Sequence, residues 1–171
     1  MSGPHTPAET GIEIEIECDD WTLRLGDPAS LAQTAAEAAL VAASRAGGVV
    51  ILLTDDEEVG VLNAQFRGKD GPTNVLSFPA AANLQGHLGD IALALGVCVG
   101  EAEAQGKSLA HHLQHLVAHG VLHLVGYDHE KESQAVIMEA MERRIMHDLG
   151  APDPYGADQA GGDYEGADDV R

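Results

Sequence analysis

Basic residues are scarce in this 171-residue chain: nine Lys and Arg stand against 28 Asp and Glu, a formal charge of −19 with His neutral. A broad nucleic-acid-binding face normally shows as a basic surface, so the shortage argues against one. Cysteine is scarcer still. Cys18 and Cys98 lie at no metal-like spacing, which excludes a disulfide framework and fits a reducing compartment. No apolar run approaches the roughly 20 residues that cross a bilayer, and the opening MSGPHTPAET lacks the charged-then-apolar layout of a signal peptide. A soluble, cytoplasmic protein with no membrane partner is expected.

What is present suits one compact domain, since 44% of the residues are hydrophobic and two full domains would be a squeeze at this length. The acidity is unevenly spread. Residues 1 to 20 hold six acids and no base, residues 151 to 171 hold six acids and Arg171, and the stretch between them holds sixteen acids and eight bases. The two ends therefore carry −6 and −5 and the middle −8, a pattern that simple solubility explains.

Strands and helices interleave. Ile12 to Glu17 alternate apolar and charged residues with the period of a half-buried strand. Asp27-Pro28 is a cap followed by proline at the first helical position, predicting a helix over 28–46 that Gly47-Gly48 ends. Val49 to Leu53 read as a central strand, and Thr54-x-x-Glu57 as a capping box that opens a helix to about Phe66. After the turn-rich Arg67 to Asn74, short strands are expected at Val75 to Phe78 and Asp90 to Leu95, with a short helix around 97–105. Ser108 caps a long helix from Leu109 to Val125, Gly126 stops it, and 130–149 form the last helix. This is an α+β (α/β-like) pattern: a single domain over residues 1–150 with about four strands in a mixed sheet packed with helices. Residues 151–171, rich in Gly, Asp, Pro and Ala, are expected to form a disordered tail apart from the chemistry.

Six of the nine histidines fall between positions 111 and 129. On a helix His119 and His123 project from one face a turn apart, close enough to bind one ion. Gly126 can take the left-handed conformation that ends the helix and swing His129 over the same point. The pattern H-x-x-x-H-x-x-G-x-x-H thus offers three neutral nitrogen ligands and leaves a fourth position open, as catalytic zinc sites do, which predicts a hydrolase. Both helical histidines lie on the flank of the apolar stripe, so the metal should line a groove. His112 shares their stripe but sits about 10 Å away by helical rise. It is the best outsider for touching substrate, while His111 and His115 are read with it as partly exposed. Metzincin proteases share this spacing but place a glutamate base after the first histidine, where this chain has Gly120. A zinc metallopeptidase is therefore the alternative reading, with its usual base missing.

The run His119 to His129 resembles the signature of the YbeY family of bacterial metal-dependent endoribonucleases. Arg67 to Pro79 (RGKDGPTNVLSFP) is similar to that family's second block and Leu88 to Ile91 (LGDI) to its third, in the family's order over most of residues 50–150. The resemblance implies a single-strand-specific endoribonuclease acting in small-subunit ribosomal RNA 3′-end maturation and ribosome quality control. It implies one zinc ion per chain on His119, His123 and His129, and an Arg67 important for activity. The partners it implies are single-stranded ribosomal RNA and the small ribosomal subunit or an assembly factor, with no DNA expected. A guanidinium suits that role because it can hold two phosphate oxygens in a fork, although a surface arginine satisfying loop carbonyls would look the same in sequence. Asp128 could orient an imidazole or cap the last helix, and Thr73, Asn74 and Ser77 could position their loop or contact RNA.

Overall fold

The computed structural model describes residues 11–156, in which four strands and six helices form one layered unit. Strand β1 (Ile12–Ile16) carries the alternation seen in the sequence, Ile12 buried and Glu13 and Glu15 exposed. A short helix α1 (Asp20–Leu25) follows, which the sequence did not reveal. Its one buried residue, Trp21, anchors it by donating an indole N–H to the Thr54 carbonyl at 2.9 Å.

Helix α2 (Pro28–Ala42) opens as predicted, with the Asp27 carboxylate accepting the Ser30 N–H at 3.1 Å. It stops four residues earlier than expected, because Ser44 takes a positive φ of 55° and Gly48 already belongs to strand β2 (Gly48–Thr54). Thr54 is therefore strand, not cap. Asp55 caps helix α3 (Asp56–Arg67) instead, accepting the Glu58 N–H at 2.8 Å. The acids Asp56, Glu57 and Glu58 then occupy the first turn, where they complement the helix dipole.

Strands β3 (Val75–Pro79) and β4 (His87–Ala94) complete a sheet of order β1-β2-β4-β3, parallel except for the antiparallel β3–β4 pair. Helix α4 (Leu95–Gln105) leaves β4 directly, and α5 (Leu109–Leu124) starts at Ser108, whose hydroxyl accepts the His111 N–H at 3.0 Å. Helix α6 (Glu132–Asp148) ends the unit.

One sheet face, with Val49, Ile51, Leu53, Ile91 and Leu93, buries the main core under α2, α5 and α6. The other face packs Leu76, Ala92 and Ala94 against Val59 of α3 in a smaller cluster. Ala32, Ala35, Ala36 and Ala39 of α2 are fully buried and let α2 lie close along α5. No helix among the described residues is long and apolar enough to cross a membrane. Residues 151–156 fold back onto α6, so these six are not apart from the domain as the sequence suggested; the remainder of the expected tail, 157–171, lies outside the described residues.

Candidate metal centre

Helix α5 is buried along most of its length between the sheet and the other helices, and it must come close to β3 and β4. Gly120 permits this. A Cβ there would lie 3.0 Å from Ile91 Cδ1 and 3.2 Å from Ser77 Oγ, so the position has no room for the glutamate of a metzincin. Burying this side of α5 against the sheet fixes the roll of the helix, and with it the neighbouring flank from which His119 and His123 project.

At the end of α5 the chain turns through Gly126, whose φ of +106° suits glycine. The Gly126 N–H reaches the His123 carbonyl at 3.1 Å and the Tyr127 N–H reaches that of Leu122 at 3.0 Å. This closure returns His129 to His119 and His123, with ring centroids 4.7–5.4 Å apart pairwise and one ligand nitrogen from each within 4.8 Å of the others. The Nε2 atoms of all three are buried and have no hydrogen-bond partner. Unpaired buried nitrogens are costly, and three that converge fit the lone pairs of a metal-binding set.

The tautomers agree. Glu142 of α6, 1% exposed, places one carboxylate oxygen 2.6 Å from His119 Nδ1 and the other 2.6 Å from His115 Nε2. An ionised carboxylate only accepts, so His119 Nδ1 carries the hydrogen and Nε2 keeps its lone pair. Burial would by itself raise the Glu142 pKa, but the facing imidazoles of His119 and His115 outweigh it and hold the carboxyl well below the usual range. Burial, helped by His119 and His129 nearby, lowers the His123 pKa to about 3, so that ring is neutral at ordinary pH. Burial also lowers His115, outweighing the attraction of Glu142.

The site is more enclosed than its place on the helix flank implied, with His119 4% and His123 9% exposed, because α6 covers the flank. His112 and His115 are buried, not partly exposed: His112 bonds Glu101 at 2.8 Å and His115 bonds Glu142. His112 therefore faces no substrate. His111, half-buried, lines with His115 a cavity of about 440 Å³ that none of the three clustered histidines reaches.

Arg67 is the last residue of α3, half-buried, and donates to the Ser77 carbonyl at 2.5 Å with its guanidinium 5.6 Å over the Phe78 ring. Ser77 in turn donates its hydroxyl to the Gly120 carbonyl at 3.4 Å, which places strand β3 between Arg67 and the backbone next to His119. Thr73, Asn74 and Ser77 are buried; Asn74 bonds Glu101 at 3.1 Å, so these residues hold their segment in place. Asp128 accepts the His129 N–H at 2.7 Å and does not cap α6, whose Lys131 N–H is met by Gln134.

Sequence reasoning missed Glu142 and Tyr155, whose hydroxyl donates to Glu142. A signal for Glu142 existed: it lies on the buried stripe of α6 with Met138, Ile145 and Met146, where a carboxylate is out of place unless it is bonded.

A family model described as Endoribonuclease YbeY matches residues 14–150. A protein of that name from Maricaulis maris is 58% identical over 100 residues, which cover 58% of this chain and 62% of its own. One from Rhodopseudomonas palustris is 47% identical over 152 residues, covering 84% of this chain and 80% of its own. One from Azorhizobium caulinodans is 46% identical over 152 residues, covering 84% and 95%. A solution structure of a Thermotoga maritima protein shares the fold, with a TM-score of 0.51 at 23% identity over 85% of this chain and 99% of that one.

Proposed function

Because the chain belongs to the YbeY family of endoribonucleases, it is a hydrolase acting on RNA, and we propose that it cleaves single-stranded ribosomal RNA with one zinc ion on His119, His123 and His129. The reaction serves maturation of the small-subunit ribosomal RNA 3′ end and ribosome quality control, in the cytoplasm. The observation that carries the metal assignment is the convergence of three buried, unpartnered Nε2 atoms. Three neutral nitrogen donors, with no thiolate and no fourth protein ligand among the described residues, suit catalytic zinc.

A zinc ion so held supplies a Lewis acid that acidifies water and polarises a phosphoryl oxygen. His119, His123 and His129 orient their lone pairs for it, and Glu142 fixes the tautomer of His119. Arg67 provides the cation for phosphate charge, its direction set by the Ser77 carbonyl and the Phe78 ring. Position 120 supplies no base, which leaves the peptidase reading without its proton acceptor. With −19 overall, the chain binds free RNA weakly and in a salt-sensitive way, and draws specificity from the small subunit or an assembly factor.

The test is cleavage of a small-subunit ribosomal RNA 3′ fragment by protein stripped of metal and reloaded with zinc. Cleavage should vanish on stripping, return with zinc, and fall about 100-fold in Arg67→Ala, the scale of losing one electrostatic contact at a reacting centre. Equal cleavage by stripped protein, or a wild-type rate in Arg67→Ala, overturns the proposal.

A further inference from the structure

Glu142 uses both carboxylate oxygens. One meets His119 Nδ1 at 2.6 Å; the other meets His115 Nε2 at 2.6 Å and also accepts the Tyr155 hydroxyl. Tyr155 belongs to a strap that crosses α6 after the last helix. Its ring stands edge-on to His115 at 5.5 Å and under the Arg143 guanidinium at 5.3 Å. The strap is fastened elsewhere by Lys107 to the Pro154 carbonyl at 3.1 Å and by Arg143 to Asp153 at 3.4 Å.

We propose that Glu142 is a positioning residue for the metal ligand His119, and that Tyr155 completes it, so that the 151–156 strap and the metal site stabilise one another. This rests on the zinc assignment above. His119 can offer Nε2 to a metal only while Nδ1 keeps its hydrogen, and Glu142 is the acceptor that keeps it there. A glutamine in its place must turn its NH₂ toward either His119 or the His115–Tyr155 side. Turned to His119, it demands an acceptor at Nδ1 and moves the ring hydrogen to the ligating nitrogen; turned away, it confronts two donors. Tyr155, by holding the second oxygen, limits rotation of the carboxylate. By linkage, whatever factor the docked strap adds to metal affinity, the metal adds to docking of the strap.

Zinc affinity by competition with a chromophoric chelator, the cobalt(II) absorption spectrum, and hydrogen exchange at 151–156 with and without zinc test this on the full chain. Glu142→Gln should bind zinc about 10- to 100-fold more weakly, with an altered cobalt(II) spectrum. Tyr155→Phe, which keeps the ring, should lose roughly 5-fold, the scale of one hydrogen bond. Zinc should slow exchange across the strap in wild type but not in Tyr155→Phe. Wild-type affinity and spectrum in Tyr155→Phe, or strap exchange indifferent to zinc, overturn the proposal even if Glu142→Gln does not fold. None of these readouts uses RNA. Failure of wild type to bind zinc overturns the metal assignment beneath it, a different result from unchanged variants.

Discussion

Lowering the pH should destabilise the metal-free protein well before its carboxylates titrate. His123 has a pKa of about 3 in the folded chain against 6.5 for an ordinary imidazole, because it is buried beside His119 and His129. As pH falls below 6.5 the unfolded chain takes up a proton at this residue and the folded chain does not, so stability present above that value is lost. At pH 5 the gap is 1.5 pH units, or about 2 kcal/mol at 1.36 kcal/mol per unit. His115, also lowered by burial, adds a loss of the same sign. Glu142, held low by its two histidines, contributes stability that is retained above about its ordinary 4.5 and declines only below it, so it does not shape this window. Two kcal/mol is a large share of the 5–15 typical of a domain. With a urea slope of about 2 kcal/mol per molar, the midpoint should fall by roughly 1 M between pH 8 and pH 5. Urea titrations followed by fluorescence of Trp21, the single tryptophan, measure it. A midpoint constant across that range, or one that falls equally in metal-free His123→Gln, would refute the reasoning.

Gly126→Ala should destabilise the chain by about 1–2 kcal/mol, since alanine resists the φ of +106° even with open space around it, and should weaken zinc binding as His129 is re-aimed. Unchanged melting and chelator competition would show that the turn does not need glycine. Cys98 is fully buried, and burial, reinforced by Glu101 and Asp56, pushes its thiol well above the usual range. A disulfide reagent at pH 8 should therefore titrate only half-buried Cys18 in the native protein and both thiols in urea; two equally fast thiols would contradict this.

Much of the fold could be read because it is encoded locally. The alternation in β1, the Asp27-Pro28 opening of α2 and the Ser108 cap of α5 each act within a few residues. So does the histidine cluster, whose three members span eleven positions and depend on one helix and one turn. Local signals failed where two of them competed or where a segment was short. Thr54 and Asp55 are both good caps, and pairing of Thr54 with Ala94 in the sheet decided for Asp55. Helix α1 has six residues, too few for a period to show, and is held by a tryptophan contact 33 positions away. Burial of His112 and His115 was invisible for the same reason, since their carboxylate partners lie 11 and 27 residues off on other helices.

Ala32, Ala35, Ala36 and Ala39 of α2 have no side-chain rotamers to freeze, so ordering this wall against α5 costs almost none of the conformational entropy that longer residues would lose. The same wall has no alternative packing to relax into. The helix that carries His119 and His123 thus rests on a surface with one arrangement, and any residue larger than alanine there would have to push α2 away from the α5, α6 and β1 that it packs against.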